Sequence, residues 1–185
     1  MKPLLYPIAS DDHIFGSPAA SIELLEYGDY ECTYCGLAYL TVKVIQRQLG
    51  SDVKYVFRNF PMSSVHPHAF FAAVAAEAAG LQGKYWEMHD IIFENQGPLD
   101  REAIFHFAAI LNLDIRRFKD DVQRKNLMAK VDKDFESGLR SGVKGTPSFF
   151  INGEKYEGDW MSTDLLQQLK NVLAEAISYE GGIFF

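Results

Sequence analysis

Two short apolar segments with one helix's length between them decide most of what this chain can fold into. SIELLEY, residues 21 to 27, is mostly apolar and bounded by Pro18 and Gly28, so it reads as a buried strand. DVKYVFRNF, residues 52 to 60, alternates Val53, Tyr55 and Phe57, stops at Pro61 and reads as a second strand. Between them Leu37, Leu40, Val44 and Ile45 recur at helical spacing, and Gly50 punctuates the end of the helix. Two strands joined by a helix imply a parallel pair with a right-handed crossover.

The rest of the chain extends this frame. From His66 to about Leu139 the pattern is helical. HAFFAAVAAEAAG is ended by Gly80, KYWEMHDIIFENQ follows, and DREAIFHFAAILNL has Asp100 as its N-cap. A long helix around Phe118, Val122, Val131 and Phe135 completes the block. PSFFING, residues 147 to 153, is a strand running into an Asn-Gly turn, and EKYEG is the returning strand of the hairpin. Ser162 or Thr163 caps a last helix whose face is Leu165, Leu169, Val172, Leu173 and Ala176. The expected class is therefore α/β, a mixed central sheet with an all-helical insertion between its second and third core strands. Residues 14–65 and 141–180 form the sheet domain, and 66–140 form the inserted helical domain.

At 48% apolar and 14% aromatic residues, the chain can bury a core without a covalent staple. Its 18 basic and 25 acidic residues give a formal charge of −7 with no basic run, which argues against a nucleic-acid partner. No stretch of about 18 apolar residues exists, so no membrane span is expected. The start, MKPLLYPIASDDH, lacks the apolar region of about 7 to 15 residues that a secretion signal carries. As written the chain is expected in the cytoplasm, or in the periplasm or another extracytoplasmic space if a signal was removed.

Both cysteines, Cys32 and Cys35, lie in YECTYCG, between the first strand and its helix. A bridge over so short a loop stabilises by only about 2 kcal/mol in the chain-entropy account, so a purely structural disulfide explains the spacing poorly. A zinc site needs about four ligands, and there is no second cysteine pair. His66 and His68 are the close histidines, and Pro67 between them marks a helix entry, so capping or surface positions are expected there. His89 and His106 read as parts of amphipathic faces, and His13 carries no signal. No metal is expected.

Position favours a reactive pair. Cys32 falls at a helix N-terminus, with Cys35 one turn in on the same side, close enough to open and close a disulfide with little backbone movement. The helix dipole favours a thiolate at Cys32, worth about one pKa unit, and free N–H groups of the first turn add to it. Cys35, more buried, suits the resolving role. Glu26, Asp29 and Glu31 precede Cys32 closely and oppose its ionisation. The Cys32 pKa is therefore expected to be depressed, but not below about 4. Near the other end, GVKGTPSFFING places Thr146–Pro147 at a strand entry, where nothing local demands a cis bond.

CTYC after a strand, followed by GTPSFFING, resembles the thioredoxin fold, and the helical block resembles the arrangement of the DsbA-like thiol:disulfide oxidoreductases. GSPAASIELLEYGDYECTYC and FRNFPMSSVHPHA are also similar to segments of that family, so the resemblance covers about residues 14 to 178. It implies that Cys32 is the attacking cysteine and Cys35 the resolving one. It implies that Pro147 is a cis-proline facing the pair, with the backbone of Thr146 beside it offered to an extended substrate. Glu26 is either a surface carboxylate of the strand or, as the resemblance implies, a buried acid that relays a proton to Cys35. The intervening pair is Thr33-Tyr34, not the Pro-His of the strong oxidants, so the resemblance leaves the direction of catalysis open.

The reading is a thiol:disulfide oxidoreductase that needs no organic cofactor. Its partners are protein thiols and disulfides and an unidentified redox partner. Glutathione-dependent isomerases and kappa-type transferases resemble the same fold but usually carry serine at the first active-site position. A non-catalytic, chaperone-like binding domain is the third reading. The C-terminal YEGGIFF ends in apolar residues that either tuck back or meet another subunit.

Overall fold

The computed structural model describes residues 3–181, with side chains to residue 178. Strands β1 (Ile14–Phe15), β2 (Ile22–Gly28), β3 (Val53–Asn59), β4 (Ser148–Ile151) and β5 (Glu154–Lys155) form one sheet in the order β1-β3-β2-β4-β5. Helix α1 (Thr33–Leu49) joins β2 to β3. Helices α2 (Ala69–Gly80), α3 (Tyr85–Glu94), α4 (Arg101–Ile110), α5 (Ile115–Asp121) and α6 (Lys125–Arg140) lie between β3 and β4, and α7 (Asp164–Gly181) follows β5. The mixed sheet and the helical insertion are those expected. The apolar end of the C-terminal tail lies outside the described residues.

β2 and β3 run parallel, with Ile22 opposite Val53 and Gly28 opposite Asn59. β4 lies antiparallel on the other side of β2, pairing Tyr27 with Ser148. Alternation along β2 and β3 sends Ile22, Leu24, Val53, Tyr55 and Phe57 to a core shared with α1, α7 and helices of the inserted block. Leu25, Tyr27, Val56 and Phe60 face a second, smaller core with Val143 and Phe150, against which Phe135 packs. Both faces of the sheet are covered, which is why its central strands read as nearly continuous apolar runs.

Three elements depart from the sequence reading. β1 pairs antiparallel with β3 through Ile14 and Phe15, two residues too few to show a period. The helix expected around Phe118 to Phe135 is two helices, α5 and α6, separated at residues 122–124. At about 100° per residue, Val122 and Val131 would point to opposite sides of one straight helix. The break lets both be buried. On α1 the buried residues are Cys35, Ala38, Tyr39, Val42, Ile45 and Leu49, whereas Leu37, Leu40 and Val44 are exposed. The apolar stripe that marks the helix in the sequence is thus mostly its outer face.

The N-terminal segment is strapped onto the sheet by Arg58. Its guanidinium donates to both carboxylate oxygens of Asp12, at 2.9 and 2.7 Å, and to the carbonyls of Tyr6 and Pro7. His13, which carried no signal in the sequence, stacks on Tyr85 and meets Glu77 at 2.8 Å.

The second core depends on a glycine. A Cβ on Gly138 of α6 would come within 2.7 Å of the Phe60 ring and 3.0 Å of Tyr27. Phe60 is itself packed on Phe135 with ring centroids 4.4 Å apart, so it has little room to give. Replacing a helical glycine by alanine ordinarily gains up to about 1 kcal/mol. Overpacking here costs about 1 to 3 kcal/mol and wins. Gly138→Ala is expected to lower the denaturant midpoint, and an unchanged or raised midpoint would sink this account of the packing.

Candidate active site

β2 ends at Gly28, and Asp29, Tyr30 and Glu31 turn the chain into α1. The turn is held by Asp29. Its carboxylate accepts from the Glu31 N–H at 2.8 Å, and its carbonyl accepts from the Cys32 N–H at 3.1 Å. Cys32 is the N-cap of α1 in extended conformation, and its side chain caps no backbone N–H. The first-turn N–H groups of Tyr34 and Cys35 are left free to act on its sulfur. Cys35 is fully buried one turn on, where its sulfur accepts from the Asp29 N–H at 3.4 Å. Both cysteines are present as thiols.

The Thr146–Pro147 bond is cis. It stands against the pair, with the Cys32 thiol 3.5 Å from the Thr146 carbonyl. Thr146 also leans on Met62, in the loop after β3, its hydroxyl 4.0 Å from the Met62 sulfur. The site is thus built where three segments meet: the turn after β2, the loop after β3 and the entry to β4.

The two thiols differ sharply. The Cys35 thiol lowers the Cys32 pKa most. Burial opposes it, and the Thr146 side chain and the N–H groups of Cys35 and Tyr34 add to the lowering, bringing Cys32 to about 5. An N-terminal dipole by itself moves a thiol by about one unit, so most of this effect belongs to specific donors. Cys35 goes the other way. Burial, the hydrogen bond to Cys32 and the charge of Glu26 push it well above its ordinary range.

Glu26 is buried beneath the pair and is not a surface carboxylate. Alternation along β2 puts it on the same face as Leu24, toward α1. One oxygen accepts from the Tyr55 hydroxyl at 2.7 Å, and the other has no protein partner. Burial raises its pKa against that hydrogen bond, and the charge of Cys32 raises it further, to about 8.

The histidines expected as caps or surface groups are partly exposed, and His68 is the N-cap residue of α2 with no side-chain cap bond; both also meet the acids around Cys32. His66 Nδ1 lies 2.8 Å from the fully buried Asp29 carboxylate, which also accepts from the Met62 N–H at 2.8 Å. His68 Nδ1 lies 2.9 Å from Glu31, which also accepts the His68 N–H. The signal for this meeting was available, because parallel strands end at one edge and so bring the loops after β2 and β3 together. Gln96, in the loop between α3 and α4, was missed for another reason. Its amide donates to the carbonyls of Tyr30 and Cys32 at 2.9 and 3.0 Å, across a sequence separation that no local pattern encodes. Among the described residues no three His, Cys, Asp or Glu side chains converge as metal ligands.

A family model described as Thioredoxin matches residues 9–171. The chain belongs to the thioredoxin family. It is 39% identical over 158 residues, 85% of its length, to a protein of Salinispora arenicola named Na(+)/H(+) antiporter NhaA 1, and 38% identical over 149 residues, 80% of its length, to the NhaA antiporter of Herminiimonas arsenicoxydans. The match covers 24% of each of those proteins, so the chain spans about a quarter of the length of these relatives. No helix among the described residues is long and apolar enough to cross a membrane. In fold it is similar to Wolbachia pipientis alpha-DsbA1, with a TM-score of 0.82 at 22% identity over 95% of this chain and 97% of that one. A thioredoxin-like oxidoreductase from Silicibacter pomeroyi is also similar, with a TM-score of 0.79 at 24% identity over 92% and 94%.

A thiolate titration followed by ultraviolet absorbance is expected to show one step near pH 5, from Cys32, and no second step below pH 9. A first midpoint above 8 would mean that the first-turn donors do not reach the sulfur.

Proposed function

We propose that this thioredoxin-family chain is a thiol:disulfide oxidoreductase that exchanges a Cys32–Cys35 disulfide with protein thiols. The observation that carries the reading is the split between the two sulfurs. One sits at a helix N-terminus with its pKa lowered to about 5, and the other is buried behind it with its pKa raised. A sulfur that is ionised at neutral pH attacks and leaves easily, and a buried partner waits to resolve. The fold neighbour alpha-DsbA2 of Wolbachia pipientis, 20% identical with a TM-score of 0.78, is named a thiol-disulfide exchange protein.

In the oxidising direction a substrate thiolate attacks Cys32 Sγ of the disulfide. The bond to Cys35 breaks, and Cys35 leaves with the electron pair and takes a proton from Glu26. A second substrate thiolate attacks the substrate sulfur of the mixed disulfide and expels Cys32 as a thiolate. Two electrons have passed from the substrate dithiol to the pair, and a separate redox partner must remove them. In the reducing direction each step reverses, with the Glu26 carboxylate accepting the Cys35 proton. Glu26 suits both directions because a group titrating at about 8 is present in both forms near neutral pH. Thr146 and Pro147 flank Cys32 where an extended substrate would lie, and the Thr146 backbone is the group offered to it.

The Cys32 value also bears on direction. Thioredoxin's attacking cysteine titrates at about 7 with a potential near −270 mV, and DsbA's at about 3.5 with a potential near −120 mV. A thiolate near pH 5 favours the reduced pair to an intermediate degree. We therefore assign a potential between those two, that of a moderate oxidant, suited to an extracytoplasmic compartment.

Three measurements test the reading. The chain is expected to accelerate insulin reduction by dithiothreitol, and Cys32→Ser to abolish that acceleration. Cys35→Ser should accumulate a mixed disulfide on Cys32, since the resolving thiol is gone. Absence of catalysis in the parent chain would overturn the proposal. Glu26→Gln should slow resolution by Cys35 by about 10²-fold, the low end for loss of a general acid or base. It should also remove the limb of the pH profile near 8, because only the carboxylate form accepts the Cys35 proton. A profile that keeps that limb would place the proton elsewhere.

A further inference from the structure

Asp29 ties the two cysteines to the loop after β3. Its backbone bonds to both cysteines, accepting from the Cys32 N–H and donating to Cys35 Sγ. Its side chain is completely buried and accepts from Glu31 and Met62. The carboxylate is held on the N–H of Glu31, the residue before Cys32, and a negative charge on that turn opposes ionisation of the Cys32 sulfur. Its remaining side-chain partner is His66, whose ring is partly exposed and 2.8 Å away.

We propose that His66, held by Asp29, is the charge partner that keeps Cys32 ionisable. The inference rests on the exchange chemistry proposed above and adds how the site is regulated. His66 is a positioning residue and not a catalytic one, since it acts on Cys32 through Asp29. When its ring is protonated, the Asp29–His66 pair is neutral and the thiolate has no uncompensated charge behind it. When the ring loses its proton, the pair carries −1 and the thiolate is disfavoured. The reduced form therefore loses its stabilisation as pH rises through the His66 pKa, and the pair becomes a weaker oxidant. Burial pulls the His66 pKa down, but the hydrogen bond and charge of Asp29, with the charges of Cys32 and Glu31, outweigh it and raise it.

The groups that set this balance are few. From the turn after β2 they are Asp29, Glu31 and Cys32. His68 occupies Glu31. Asp132 of α6 and Lys144 before β4 line the cavity of about 480 Å³ beside Met62, Ser63 and Ser64. The charges that act on His66 are those of the turn after β2, and the measurement below reads the His66–Cys32 coupling directly.

The experiment is a proton NMR titration of His66 in the reduced and oxidised forms of the full chain, with its ring resonance assigned through bonds from the backbone, together with the Cys32 thiolate midpoint in the chain and in His66→Gln. Glutamine can keep a donor toward Asp29 but not the charge. The expected result is a His66 pKa higher in the reduced form than in the oxidised form by about one unit. The Cys32 thiolate midpoint should rise by the same amount in His66→Gln, a tenfold fall in the ratio of thiolate to thiol at a given pH. A tenfold change of this kind corresponds to about 30 mV in the potential, in the reducing direction. His68→Gln, which frees Glu31 alone, should move the midpoint by less than half as much. Equal His66 pKa values in the two redox states would overturn the inference, whether or not His66→Gln folds. Neither result needs a substrate, so a chain with coupled titrations but no insulin activity would sink the proposed function and leave this inference standing.

Discussion

β2 is hydrogen-bonded on both sides, parallel to β3 and antiparallel to β4, and everything at the site follows from that pairing. Parallel strands end at the same edge, and an antiparallel neighbour begins there. The turn that carries Cys32, the loop that carries Met62 and His66, and the entry that carries Thr146 and Pro147 are therefore brought together by the register of three strands. Slipping β4 by one residue would exchange the faces of Phe149 and Phe150, both almost fully buried. The cost of repacking each ring into the core on the opposite face holds Ser148 opposite Tyr27, and so holds Thr146 against the cysteine sulfur.

Within this frame the same residue type does different things according to its donors. Glu26, Asp29 and Glu31 lie within six residues in sequence, and by proximity alone all three should oppose a thiolate at Cys32. The fold separates them. Glu26 has one hydroxyl donor in an apolar setting, and burial wins, so it holds a proton to about pH 8. A neutral acid opposes the thiolate far less than a charged one. Asp29, equally buried, has two N–H donors and a histidine. Glu31 has both the N–H and the ring of His68. The repulsion read from the sequence is largely compensated, which agrees with a Cys32 pKa that is lowered but stays above 4.

Much of this was legible from the sequence, for reasons that also mark where legibility ended. The first strand, its helix and the second strand were readable because long, strongly apolar segments leave few alternatives. Asp100 was readable as a cap because capping is local, and its side chain does accept from the Ala103 N–H. The outer face of α1 was not readable from spacing. Leu37, Leu40 and Val44 obey the helical period as well as any buried set, and period says nothing about which face meets the sheet. Ala38 and Tyr39 are what the packing selects. The turn between α5 and α6 contains neither glycine nor proline. Only the requirement that Val122 and Val131 both be buried produces it. Gln96 needed the tertiary arrangement, since it meets its partners across more than 60 residues of chain, whereas His66 could be placed beside the Cys32 turn from the two parallel strands.

Gln96 shows what the inserted helices contribute to the site itself. Its amide reaches from the loop after α3 to the carbonyls of Tyr30 and Cys32, on the turn that sets where the Cys32 sulfur points. Those carbonyls lie at the start of α1, where that of Cys32 also accepts the first helical N–H, from Gly36, at 3.2 Å. An N–H₂ group bound to both fixes their direction and offsets part of their field near the sulfur. The contact is possible because residue 36 is glycine. A Cβ there would lie 2.1 Å from the Gln96 amide oxygen and would drive the side chain away. Position 36 falls between the buried Cys35 and the exposed Leu37, on the flank of α1 that faces this loop. A glycine inside a helix's first turn costs stability locally, about 0.5 to 1 kcal/mol against alanine. Here it is offset by two hydrogen bonds from an element more than 60 residues away in sequence. The inserted block is thus tied to the active-site turn at the residue whose sulfur reacts, and a shift of that block would be felt first at the Cys32 carbonyl.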